Sequence, residues 1–394
     1  MASVVFYFQV HQPYRLRRYT IFDNEANYFD DHSNEMICRK VADKCYLPAN
    51  RAIAELIDRH EGRFRVSYSL TGTAISQFRK WAPEVLAGFA DLAGTGCVEF
   101  IAETCYHSLA FLYDRKEFIA QTQAHCTLVD ELFGQQPKVF RNTELTYNND
   151  VAAVVADMGF GVILTEGADH VLGCRSPNFI YTPPNRPQLR MLLKNYRLSD
   201  DIAFRFSNRA WPGWPLTARK FAGWVDQING NGHVCNLFMD YETFGEHQWT
   251  DTGVFNFLLS LPQAVLAGDK NDFLTVSQAA ENYEPIGEVD VPHMTSWADT
   301  ERDLSAWLGN SMQANALHEL YALADDVLAS GDDALIDDWR KLQSSDHFYY
   351  MCTKWFADGD VHKYFNPYES PYDAYINFMN ILDNVRARAA SAGS

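Results

Sequence analysis

Six stretches of this chain follow one plan, an apolar run that stops abruptly at polar residues. SVVFYFQV (3–10) stops at His11-Gln12-Pro13, FRVSYSL (64–70) at Thr71-Gly72-Thr73, and CVEFIA (97–102) at Glu103-Thr104. KVFR (138–141) runs on to Glu144, GVIL (161–164) to Thr165-Glu166, and HVCNLFM (233–239) to Asp240-Tyr241-Glu242. Runs such as SVVFYFQV and GVIL, apolar at nearly every position where FRVSYSL is so at alternate ones, are buried on both faces, which is the mark of a parallel sheet covered by helices.

The intervening segments supply those helices. Residues 47–62, 83–94, 116–134, 148–159 and 217–232 carry apolar residues at helical spacing, and the first three end on glycine. Asp150 is expected to cap the fourth. This α/β alternation places the chemistry beyond the carboxyl ends of the strands. Six polar-ended strands favour a barrel, complete or not, over an open sheet. After about residue 275 the pattern is almost wholly helical, through DLSAWLGNSMQANALHELYALADDVLAS, ALIDDWRKLQSSDHFYYMCTKW and a closing YDAYINFMNILDNVRARAA. The expected organisation is an α/β catalytic domain over 1–275 and a helical region over 276–394 packed on it.

The chain has 394 residues and a formal net charge of −18. That charge repels phosphate backbones and anionic membrane surfaces, so neither nucleic acid nor membrane is an expected partner; a neutral sugar meets no such objection. No apolar stretch is long enough to span a bilayer; the best, 151–164, is short and broken by Asp157. The first residues lack a basic segment and a small-residue cleavage site, and the eight cysteines show no CxxC pair, so a cytoplasmic protein with reduced thiols is expected. The oligomeric state is not written in the sequence.

Glu144 and Asp240 stand out as two carboxylates on one rim. Glycoside hydrolysis needs such a pair, one ionised and one holding its proton near neutral pH. Glu242, two residues beyond Asp240, offers a like charge that raises the Asp240 pKa. His11, His107 and His247 follow polar strand ends, so a metal-dependent carbohydrate deacetylase is a rival; no HxH or HxxxH pair supports it. Trp211, Trp214, Trp249, Tyr147, Tyr241 and Trp297 lie in or near the polar segments, where aromatic faces suit sugar rings, although core packing is the commoner use. Thr300 is a candidate cap for a helix with an acidic start, with Trp297 and Asp299 ahead of it free to reach the rim. No phosphate-binding glycine loop and no GxSxG elbow is present.

Taken in order, HQPYRL, VEFIAET, FRNTELTYNND, FMDYETFGEHQ and SWADTERDLSAW make the sequence resemble glycoside hydrolase family 57, over nearly its whole length. LKNYRLSDDIAFRFS (193–207) and SSDHFYYM (344–351) resemble its α-amylase-type members. The resemblance implies an incomplete, TIM-like (β/α)7 barrel followed by a C-terminal helical bundle. It implies Glu144 as nucleophile and Asp240 as general acid/base of a retaining reaction on α-1,4-glucans, with no metal or other cofactor. It places His11 and Gln12, Glu99 or Glu103, and Trp297 and Asp299 around the sugar. Tyr241, Glu242 and His247 share the Asp240 motif and complete the expected binding set with Trp211 and Trp214. Hydrolysis and 4-α-glucanotransfer share these residues, and a non-catalytic α-glucan-binding protein is a further rival.

Overall fold

A computed structural model describes residues 1–354 and 366–392. Its strands, in chain order, are β1 (Ala2–Val10), β2 (Val66–Leu70), β3 (Val98–Phe100), β4 (Val139–Arg141), β5 (Val162–Glu166), β6 (Ile180–Tyr181), β7 (Arg190–Lys194), β8 (Val234–Asp240) and β9 (Asn271–Phe273). They form two sheets, ordered β3-β2-β1-β8 and β4-β5-β7-β6, parallel throughout except for the short β6 against β7. β9 joins β1 at Ala2–Val4, before the β2 pairing begins at Phe6. The edges of the two sheets meet twice. Ala102, just past β3, bridges Phe140 in β4, and the Asn195 N–H just past β7 donates to the Asn236 carbonyl in β8 at 2.9 Å.

β1 shows why continuous apolar runs were needed. Val4, Phe6, Phe8 and Val10 face an outer core made with the helices Leu47–Arg59, Gly72–Trp81, Pro83–Gly94 and Val254–Val265. Val5 and Tyr7 face an inner core shared with Ile101, Val139, Leu164, Leu192 and Phe238. Each such side chain, wholly buried, stabilises the fold by roughly 1.5–3 kcal/mol, so both faces select apolar residues. A third core joins the outer faces of β4, β5 and β7 to the C-terminal helices Ser311–Ala322, Asp333–Lys341 and Pro371–Ala392. Beyond β9 all the named elements are helices.

Three local expectations differ. The cap of Asn149–Asp157 is Asn148, whose side chain accepts from the Val151 N–H, while Asp150 sits in the first turn. Thr300 caps nothing: it lies in a tight turn, and the next helix is the short Ser305–Leu308. The long helical run expected from 303 breaks at Gly309 and again at Leu323, and Trp355, at the end of the following expected helical stretch, lies outside the described residues. β7, β6 and β9 had no counterpart among the six expected strands.

Candidate active site

Beyond β4 the chain makes a single 3₁₀ turn, Thr143–Leu145, in which Glu144 and Leu145 both take left-handed φ values of 55° and 51°. Each such residue costs about 1 kcal/mol or more, so the surroundings must hold it. Asn142 Nδ2 donates to the Thr146 carbonyl (3.0 Å) and hydroxyl (2.8 Å), and the Trp297 N–H donates to the Glu144 carbonyl at 3.1 Å. The turn aims the Glu144 carboxylate at two donors: Oε1 accepts from His107 Nε2 at 2.9 Å and Oε2 from Trp297 Nε1 at 2.6 Å.

His107 is 2% exposed, and its Nδ1 faces Glu103 Oε2 at 3.4 Å. Burial opposes a charge on its ring, but the carboxylates of Glu103 and Glu144 raise its pKa to about 9. An imidazolium therefore bridges the two. Glu103, wholly buried, accepts from Gln9 Nε2 at 3.0 and 3.2 Å. Burial pushes its pKa up, and His107, Arg141 and His125 more than reverse this, to about 2. For Glu144 the same contest between burial and its partners His107, Arg141 and the Trp297 N–H ends below the ordinary carboxylate value. Its side chain keeps 24% of its surface open, enough to be reached.

Asp240 ends β8, in register with Gln9 of β1. Its pKa is raised, first by burial and then by the Glu144 charge, with His247, Arg141 and Lys194 pulling the other way. Glu242 plays a different part from the one expected. It is itself raised to about 8 by burial and the Asp240 charge, and it accepts from the Tyr46 hydroxyl. The two carboxyls that the sequence singled out thus differ in the sense acid–base work requires, one held ionised and the other held towards its protonated form.

His11 stacks on His107 with ring centroids 4.0 Å apart. Burial, then the His107 charge, lowers its pKa. Neutral, it fits the tautomer in which Nε2–H donates to Asp346 Oδ2 (2.8 Å) and Nδ1 accepts from Thr71 (3.0 Å). Gln12 turns away from this pair and donates to the Tyr46 hydroxyl at 3.0 Å. His247 is coupled to Asp240 by charge; burial lowers its pKa against that pull. Asp299 is half-buried in the Trp297 loop with a φ of 52°. Glu103, not Glu99, belongs to this cluster: Glu99 is held by Ser67 (2.9 Å) and the Ser277 N–H (3.1 Å).

Three expected binding residues lie elsewhere. Tyr241 is wholly buried in the outer core among Phe8, Tyr68 and Phe89, with its hydroxyl on Asn50 at 2.9 Å. It follows Asp240 on the opposite face of the strand, so the pleat carries it away from the rim. Trp211 packs edge-on against Trp224, both lying against the outer core, and Trp214 lies 43% exposed beside Arg209 in the loop before the helix Ala218–Asp226; neither contact is with a residue of this cluster. Conversely, Arg141, Lys194 and Asp346 were not singled out. Arg141 is wholly buried, and none of its three guanidinium nitrogens has a hydrogen-bond partner; its charge sits 4.8 Å from the Trp297 ring centroid and 3.8 Å from Glu103. The signal was available: a buried-looking strand ending in arginine three residues before Glu144, and an aspartate inside SSDHFYYM.

His11 and His107 are committed to the partners named above, and among the described residues no group of three or more His, Cys, Asp or Glu converges as metal donors. Nor, among them, is any helix long and apolar enough to cross a membrane.

The chain matches glycosyl hydrolase family 57 over residues 5–292. A Methanocaldococcus jannaschii protein named "Putative alpha-amylase" is 43% identical over 393 residues, 96% of this chain and 83% of that one. In fold, the chain is similar to the branching enzyme of Pyrococcus horikoshii, with a TM-score of 0.70 at 14% identity over 97% of this chain and 88% of that one. It is also similar to the 4-alpha-glucanotransferase of Thermococcus litoralis, with a TM-score of 0.61 at 14% identity; 92% of this chain matches and spans 53% of that protein. With the length of the family match and a relative this close in sequence, the chain belongs to glycosyl hydrolase family 57.

Proposed function

We propose that this protein is a retaining α-glycoside hydrolase of the α-amylase type, cleaving α-1,4-glucans such as starch, glycogen and maltooligosaccharides. The observation that carries the reading is the divided pair. Glu144 is kept ionised by His107 and the Trp297 N–H, while burial and the Glu144 charge raise the Asp240 pKa. In this reading the two joined sheets are the incomplete (β/α)7 barrel of residues 1–275. The helical region of 276–394 reaches over its rim with Trp297 and Asp346.

In the first step a Glu144 carboxylate oxygen bonds to the anomeric carbon as the glycosidic C–O bond breaks, and Asp240 passes its proton to the departing oxygen. The second step runs in reverse: Asp240 takes a proton from water as the water oxygen displaces Glu144 from that carbon. His107 and Trp297 hold Glu144 in one rotamer, and His11, His247 and Asp299 are the proposed sugar contacts; Glu103, wholly buried behind His107, is out of a sugar's reach and serves only to hold that ring.

The test is maltoheptaose with and without EDTA, wild type against Glu144→Gln, with products separated by chromatography. Shorter oligosaccharides alone, lost in the variant and indifferent to EDTA, are expected. Products longer than the substrate would make it a 4-α-glucanotransferase, which differs in excluding water and binding an acceptor. Acetate release sensitive to EDTA would move it to a deacetylase, and glucan binding without turnover to a binding protein.

A further inference from the structure

The indole of Trp297 does not reach Glu144 from the strand scaffold. It arrives on a loop, Ser296 to Asp303, that belongs to the helical part of the chain. The loop is closed on itself by the Ser296 N–H on the Arg302 carbonyl (3.1 Å) and the Ser296 hydroxyl on the Asp303 carbonyl (2.6 Å). Two of its residues, Asp299 and Arg302, take left-handed φ values of 52° and 56°, and neither is glycine. Something must hold such a loop down.

Arg302 does so. Its Nη1 donates to the Trp297 carbonyl at 2.6 Å and to Glu166 Oε2 at 3.2 Å, and its Nη2 faces Asp200 Oδ2 at 3.4 Å. Glu166 ends β5 and Asp200 lies in the helix Tyr196–Ala203 after β7, so one guanidinium ties the loop to two neighbouring rim elements. Lys194, at the end of β7, completes the charge balance: it faces Asp200 at 3.3 Å and Glu166 at 3.7 Å and lies 5.1 Å from the Trp297 ring. With Arg141 4.8 Å from the same ring, two cations draw the electron-rich indole into place. A planar, permanently charged fork reaches acceptors on separate elements from two different nitrogens held in fixed geometry; a lysine ammonium offers its three donors from a single point.

We propose that Arg302 is a positioning residue for the nucleophile: by fixing the 296–303 loop on Glu166 and Asp200 it holds the Trp297 indole N–H on Glu144. This rests on the assignment of Glu144 as nucleophile. Arg302 touches no reacting atom and acts only through Trp297. The groups facing Glu144 are His107, Arg141, Asp240 and the Trp297 N–H. Of these, only the Trp297 contact depends on Arg302.

The test is a double-mutant cycle of Arg302→Gln with Trp297→Phe, which removes the indole N–H but keeps a ring. Arg302→Gln alone is expected to lower kcat on maltoheptaose by about 10²-fold with little change in KM, the size of effect that a misplaced catalytic group produces. In the Trp297→Phe background the same change should cost less than about 3-fold, because coupled residues are non-additive. Arg302→Lys, which keeps the charge, should fall between and guards against a variant that fails to fold. A second readout needs no substrate. With indole ¹⁵N labelling, the Trp297 resonance, identified by its loss in Trp297→Phe, should shift as Glu144 titrates in the wild type and stop doing so in Arg302→Gln. An unchanged titration, or additive losses in kcat, would overturn the proposal. If the wild type cleaves no glucan while the resonance behaves as expected, the functional reading fails and the positioning role stands.

Discussion

A histidine held charged between two carboxylates makes the stability of this protein depend on pH in a calculable way. His107 has an ordinary value of 6.5 and is raised to about 9 in the fold. At 1.36 kcal/mol per pH unit, holding that proton is worth about 3 kcal/mol. A basic group whose proton affinity is raised by folding stabilises the native state fully below pH 6.5. That contribution is lost as pH climbs through about 9. Glu103, at about 2, and Glu144, lowered, both stay ionised across this window and add no slope. Glu242, raised to about 8, does bend the curve, so the quantity to follow is the difference between wild type and His107→Gln. Glutamine keeps an N–H for Glu144 and carries no proton, and any fixed penalty of the substitution moves both ends of the window equally. Urea unfolding at pH 6.5 and near pH 9 should show the wild-type advantage shrinking by about 3 kcal/mol. A difference that stays constant across that range would refute the bridging imidazolium.

The divided pair makes a prediction for the pH dependence of kcat/KM. In the proposed mechanism Glu144, with its lowered pKa, sets an acid limb displaced downward and Asp240, with its raised pKa, an alkaline limb displaced upward, so the plateau should be wider than two ordinary carboxyls give. Asp240→Asn should lose about 10²–10⁴-fold and with it the alkaline limb; a limb that persists in the variant assigns that ionisation to another group. Tyr241→Phe should lower stability by about 1 kcal/mol, the worth of the hydroxyl bond to Asn50, and leave KM unchanged. A raised KM with unaltered stability would return Tyr241 to the sugar site.

Much of the architecture was legible because burial on two faces leaves a mark that needs no partner to read. β1, β5 and β8 announce themselves as nearly continuous apolar runs and β2 by apolar residues at alternate positions, and their polar ends give the rim. β7 does not: Met191-Leu192-Leu193 between Arg190 and Lys194 is too short and too charged at its ends to be told from a helical turn. Its charges make sense only once Arg190 is seen on the Ala280 and Tyr283 carbonyls, and Lys194 between Glu166 and Asp200.

The same division runs through the site. Residue order put Glu144 and Asp240 on the rim, since each follows a strand whose end the sequence marks, and the family motifs set them apart from Glu103 and Glu166, which also follow strand ends. Which aromatic residues meet that pair is a matter of direction, and direction comes from the pleat and from loop closure. Tyr241, one residue from Asp240, is turned into the core, while Trp297, 153 positions from Glu144, donates to its carboxylate. His11 and Asp346 are 335 residues apart and meet at 2.8 Å. Local pattern records what each segment must bury, and so fixes strands, rim and the two carboxyls. Ion pairs and hydrogen bonds between distant segments, which set the ionisation of those carboxyls, leave no periodic trace and are decided only when the chain closes on itself.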